Sequence, residues 1–148
     1  MKKYLHILMV LILLAFMQAP VSSKSGCQLS QKEVAFLKIY FKDSRQRRRK
    51  PVCHPTLLQL ARERARDMAV RRYFSHTNPD GIGPNYLLQK KGYKLPKYWG
   101  KGKSSNYIES ISAGRSTAGA AYQGWMKSPG HRRHVLGTSK FYGGQSVV

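Results

Sequence analysis

The segment HPTLLQLARERARDMAVRRYFSHTNPDG, residues 54–81, decides the fold. His54-Pro55-Thr56 has the composition of a helix start, with proline where the first turn has no use for its missing N–H. Leu57, Leu60, Ala61, Ala65, Met68 and Ala69 then recur at helical spacing, while Arg62, Glu63, Arg66 and Asp67 take the opposite face. The pattern predicts an amphipathic helix running to about Tyr73. Phe74-Ser75-His76-Thr77 follows, and Asn78-Pro79-Asp80-Gly81 is a strong turn signal.

Toward the N-terminus, Ser30 with Glu33 three residues on forms a capping box, and Val34, Phe36, Leu37, Tyr40 and Phe41 continue it as a second helix. Between the two helices lies the densest basic run, Arg45-Gln46-Arg47-Arg48-Arg49-Lys50, which reads either as a polyanion-binding loop or as a solvated connector. Toward the C-terminus, residues 82–105 are rich in Gly, Pro and Lys, with a short helix expected around Tyr86–Lys91. Residues 106–113 alternate as a strand does. Ser116-Thr117 caps a last helix through Ala118, Ala121, Tyr122, Trp125 and Met126, with Pro129-Gly130 expected to end it. A further strand is expected to begin within residues 143–148. There are no internal repeats.

Residues 1–23 read as a signal peptide, cut near Ser23/Lys24. Lys2 and Lys3 form a basic leader, Ile7 to Met17 is an apolar run, and Val21-Ser22-Ser23 supplies small residues before the cut. The run is about half of the roughly 20 residues a spanning helix needs, although a retained anchor is the alternative reading. Residues 24–148 are then one domain, secreted or periplasmic. Its charge is extreme. The chain holds 27 Lys plus Arg against 6 Asp plus Glu, and removing Lys2 and Lys3 leaves a mature charge of +19. Most of these cations face water or an anionic partner: envelope polymers, lipid or, non-specifically, nucleic acid. Two cysteines exclude a disulfide-dense scaffold and a Cys-rich zinc module. Outside the cytosol Cys27 and Cys53 are expected to oxidise, and a single intramolecular pairing exists for them, provided the loops around the intervening helix fold back.

The order of "HPTLLQLARERARDMAVRRYFSH" with "TNPDG", then "GY", "YIESISAG" and "WMKSPGHRRHVLG" resembles the CAP superfamily (cysteine-rich secretory proteins, antigen 5, pathogenesis-related 1) in a small bacterial form, over about Leu29 to the C-terminus. The resemblance implies an α+β fold, an α–β–α sandwich whose cleft is lined by two histidines and two acids. His76 matches the first histidine, Glu109 the first acid and His131 the second histidine. Ser128 stands where the second acid is usual, and Ser110 where an asparagine is. Family members usually continue into two further strands, so the last sheet strands are expected to be missing here, by truncation or through completion by a partner.

Two imidazoles and one carboxylate make an incomplete coordination sphere for Zn²⁺, so His76, Glu109 and His131 are the candidate metal ligands. The same trio could serve acid–base chemistry. Glu109 is the single acid of residues 81–148, against eleven bases. An anion there needs partners: the histidines, a metal, or a salt bridge to Arg115 or a lysine. His54 and His134 are assigned to structure, and Tyr73, Tyr107, Tyr122 and Trp125 to the core. Ser75 beside His76 and Ser128 near His131 give nucleophilic catalysis little support, and no G-x-S-x-G turn is present. Three functions compete. The leading one is a binding protein with a His/Glu cleft for a metal or small ligand and a cationic surface for envelope polymers. A peptidase-like hydrolase using His76, His131 and Glu109 is the second, and a non-specific polyanion binder the third.

Overall fold

Capping and apolar periodicity produce the first two helices where the sequence places them. The computed structural model describes residues 27–97, 99 and 102–138; the expected signal peptide and the strand start at 143–148 lie outside the described residues. Helix α1, Gln31–Lys42, begins with the full capping box, the Glu33 carboxylate accepting from the Ser30 N–H at 2.6 Å and the Ser30 hydroxyl accepting from the Glu33 N–H. Helix α2, Pro55–Val70, is capped by the His54 ring, which accepts from the Thr56 N–H. It stops earlier than expected because Arg72 turns left-handed, φ 54°, and the Tyr73 N–H returns to the Met68 carbonyl. That Schellman-type turn usually takes glycine. Here it swings Tyr73, Ser75 and His76 back along α2.

The short helix appears as α3, Pro84–Lys90, and Thr117 caps α4, Ala118–Lys127. Helix α4 ends before Pro129-Gly130 as expected, with Ser128 breaking the chain in extended dihedrals. It is not the last helix, because Pro129 also opens a fifth, α5, Pro129–Leu136. Proline is as much at home in a first helical turn as after a last one, and here it does both.

The expected strand over 106–113 is not formed. The Asn106 side chain accepts from the Ile108 and Glu109 N–H groups and donates to the Glu109 carbonyl. It thereby takes the backbone groups that a strand ladder would use. Among the described residues no strand occurs beyond an isolated bridge at Val52, and that part of the chain is helix and loop.

Helix α4 packs on both α1 and α5, and α2 packs on α3. The core between the first three is Tyr40, Tyr122, Met126, Val135 and Leu136, with Phe36, Ile39 and Trp125 against it. Tyr107, expected inside, is instead 43% exposed. The Cys27–Cys53 disulfide forms as expected, with Cα atoms 6.1 Å apart, and joins the segments that precede α1 and α2.

The basic run is largely a brace for α5. The Arg47 N–H donates to the Leu136 carbonyl at 2.9 Å, the Gln46 amide to the Val135 carbonyl, and the Arg48 Nε to the His134 carbonyl at 3.0 Å. These are the carbonyls a helix end leaves unpaired, and a guanidinium there also complements the helix dipole.

Candidate functional site

Glu109 reaches the site because the loop before it is held from two sides. The Asn106 cage fixes its backbone, and the fully buried Asn85 accepts from the Tyr107 N–H at 2.9 Å. Gly83 lets the two segments touch. A Cβ there would lie 2.7 Å from backbone atoms of Ser104 and Ser105. On the far side, the Trp125 indole donates to the Ile111 carbonyl at 2.9 Å and pins the segment over α4.

The carboxylate so placed meets a residue that motif reading passed over. Arg64 is 2% exposed, and its Nε donates to Glu109 Oε2 at 3.0 Å. Its Nη1 donates to the Tyr73 hydroxyl, which in turn donates to Asp67, and its Nη2 donates to the carbonyls of Ser75 and His76. Burial works against the Arg64 charge, but the bond to Glu109 prevails and the guanidinium is held more firmly charged than usual. Arg64, not Arg115 or a lysine, is the salt-bridge partner of Glu109. The sequence did hold a signal: Arg64 lies four residues after Leu60 and four before Met68, inside the apolar face of α2.

His76 Nδ1 lies 3.0 Å from Glu109 Oε1. An ionised carboxylate only accepts, so Nδ1 carries the proton and Nε2 of the neutral ring is left as the acceptor. His131, in the first turn of α5, has its Nδ1 2.9 Å from the Ser128 hydroxyl, with its ring stacked on Trp125 at 6.5 Å between centroids. Burial, with the His76 ring adding to it, pushes the His131 imidazole below its ordinary value.

His134 is not remote from this group. Its Nδ1 is 2.6 Å from the Ser110 hydroxyl, beside Glu109. Burial pushes it down to about 4, with Arg48, His131 and His76 adding to the effect. It is a neutral, structural imidazole lodged under the site. His54 likewise stays structural, as the cap of α2.

Both oxygens of Glu109 are thus engaged by Arg64 and His76. Among the described residues no three His, Cys, Asp or Glu side chains are gathered so as to hold a metal ion. A groove of about 610 Å³ between α2 and α3 has Arg64 and Asp67 in its wall, and one of about 470 Å³ lies beneath the basic loop. Neither includes His76 or His131.

Comparison with known proteins gives the family of the chain. The sequence model of the CAP, or cysteine-rich secretory protein, family matches residues 45–147. The uncharacterized protein YkwD of Bacillus subtilis (strain 168) is 31% identical over 81 residues, 55% of this chain. The matched part is 28% of that protein's own length. No solved structure matches the chain.

Proposed function

Because the chain belongs to the cysteine-rich secretory protein family, we propose that it is an exported binding protein whose His76/His131 pair takes a divalent metal ion or small ligand, and whose cationic surface holds anionic envelope material. In this reading the helices are the outer parts of the family's α–β–α sandwich. Export is supported by the basic and apolar pattern of residues 1–23, and the disulfide and the family both fit an extracellular protein.

One observation carries the reading of the site: each histidine is anchored through Nδ1 by a neighbouring oxygen, Glu109 for His76 and Ser128 for His131. A carboxylate or hydroxyl behind an imidazole fixes its tautomer and raises its basicity as a ligand. Glu109 then acts behind His76 rather than as a ligand itself, a shift from the trio expected from sequence. Ser128, in the place of a second acid, does the same for His131 when it accepts from Nδ1–H. Bound Zn²⁺ would supply a Lewis-acidic centre for an anionic or carbonyl oxygen. The chain's own part is to present two oriented imidazoles on a base stiffened by Arg64. A hydrolytic reading has less support, since Glu109 is committed to Arg64 and Ser128 stands where the second acid of the cleft is expected.

Titration calorimetry with Zn²⁺ at pH 7.5 tests the site. Binding is expected to be weaker than at a four-ligand structural site, absent in His76→Ala and His131→Ala, and reduced several-fold in Glu109→Gln. Equal affinity in all four proteins would mean that zinc binds elsewhere.

A further inference from the structure

The basic loop that braces α5 is asymmetric. Gln46 and Arg48 are half-buried against the helix end, while Arg47 and Arg49 between and beyond them are exposed. Arg47 and Arg49 therefore share the outward side of the loop. Arg45 is turned back in a bidentate pair with Asp43, the acid of this loop, which also accepts from the Tyr122 hydroxyl. Among the described residues no acid pairs with the outward arginines or Lys50.

Apolar groups flank the same loop. Phe41 at the end of α1 is 42% exposed and Val52, just past the loop, is 79% exposed. Lys50 lies over the Phe41 ring at 5.7 Å, and Phe41, Lys50 and Pro51 share the rim of the groove beneath the loop. A soluble polyanion would use the cations and ignore the apolar groups. An anionic membrane surface uses both: phosphate headgroups take the guanidinium forks, and small apolar groups enter the interfacial layer.

We propose that residues 45–52, with Phe41 beside them, form a peripheral contact for the anionic phospholipid headgroups of a membrane surface. This rests on the cationic-surface reading above and commits it to one partner and one face. Since the loop is bonded to the α5 carbonyls, the contact is rigid and needs no folding on binding, which lowers its entropic cost.

Co-sedimentation with vesicles of 30% phosphatidylglycerol in phosphatidylcholine, against phosphatidylcholine alone, tests it on the full mature chain with its disulfide intact. Soluble inorganic polyphosphate serves as the comparison ligand. Binding to the anionic vesicles is expected, weakened about tenfold or more by Arg47→Gln with Arg49→Gln. Removing the same charge by Lys94→Gln with Lys97→Gln should change it less than threefold. Val52→Ser should weaken vesicle binding several-fold while leaving polyphosphate binding unchanged, and Val52→Trp should tighten it. If both double variants lose affinity equally, the protein binds by net charge alone and the proposed face is wrong. If the loop variant weakens polyphosphate and vesicles alike and Val52 has no influence, the face takes soluble polyanion instead of membrane. If neither ligand binds, the cationic-surface reading itself falls.

Discussion

Arg64 and Glu109 meet with side chains 3% and 12% exposed, so neither charge has water to fall back on. Removing one partner of such a pair leaves the other uncompensated, which costs on the order of 3 kcal/mol. Glu109→Gln is therefore expected to lower the unfolding free energy measured in urea by that amount, and an effect within about 0.5 kcal/mol, the range of surface substitutions, would show that the pair is not structural. His134 gives a second expectation at this scale, with a definite sign. Its folded value of about 4 lies below the ordinary 6.5, so the unfolded chain binds the extra proton. Stability from this residue is complete above pH 6.5 and is lost as pH falls toward 4, by on the order of 3 kcal/mol. Arg48, His131 and His76 are the charged or titratable groups acting on it. Stability measured from pH 7 to pH 4 should fall less steeply in His134→Gln than in the parent chain. Parallel slopes would mean that the buried imidazole does not govern that window.

At the scale of elements, what could be read from the sequence was local chemistry. Ser30 with Glu33, His54-Pro55 and Thr117 each advertise a helix start through a side chain that serves its own turn, and all three starts are where they were expected. The failures came where a residue has two uses. Pro129 both follows α4, as expected, and begins α5, which was not expected, and alternation in residues 106–113 says nothing about an asparagine that folds onto its own backbone. Glu109 and the two histidines were legible through motif resemblance; Arg64 was not, because a charge is read by default onto the polar face. The end of α5 carries its own expectation. Gly137 sits at φ 68°, and a Cβ there would approach Arg48 Cγ to 2.4 Å. Gly137→Ala should thus cost about 1–2 kcal/mol in left-handed strain and displace the bracing arginine. Gly130→Ala, at the other end of α5 with open space around it, should be neutral or slightly stabilising by the same denaturation measurement. Equal effects at the two positions would contradict the bracing role of Arg48.

Across the whole molecule, the site is a product of convergence. His76 comes from the turn after α2, Glu109 from an irregular loop and His131 from α5, and the chain between them includes α3 and α4. The Schellman-type turn at Arg72, the Gly83 crossing and the Trp125–Ile111 bond are the joints that bring them together, and none of the three can be inferred from hydrophobic periodicity. The disulfide and the loop brace add cross-links between the segments around α1, α2 and α5 without touching either imidazole. The large positive charge bears on what the exterior meets, not on how the interior is arranged. The proposed site is a pair of imidazoles that both carry a proton on Nδ1 and present Nε2 to a ligand. Nitrogen-15 NMR of the histidine rings in the folded protein at pH 7.5 measures this directly, before and after addition of Zn²⁺. The expected spectrum has His76 and His131 as Nδ1–H tautomers, with only their Nε2 resonances displaced by the metal. Finding His131 protonated on Nε2, or both rings unmoved by zinc, would contradict the two-histidine site.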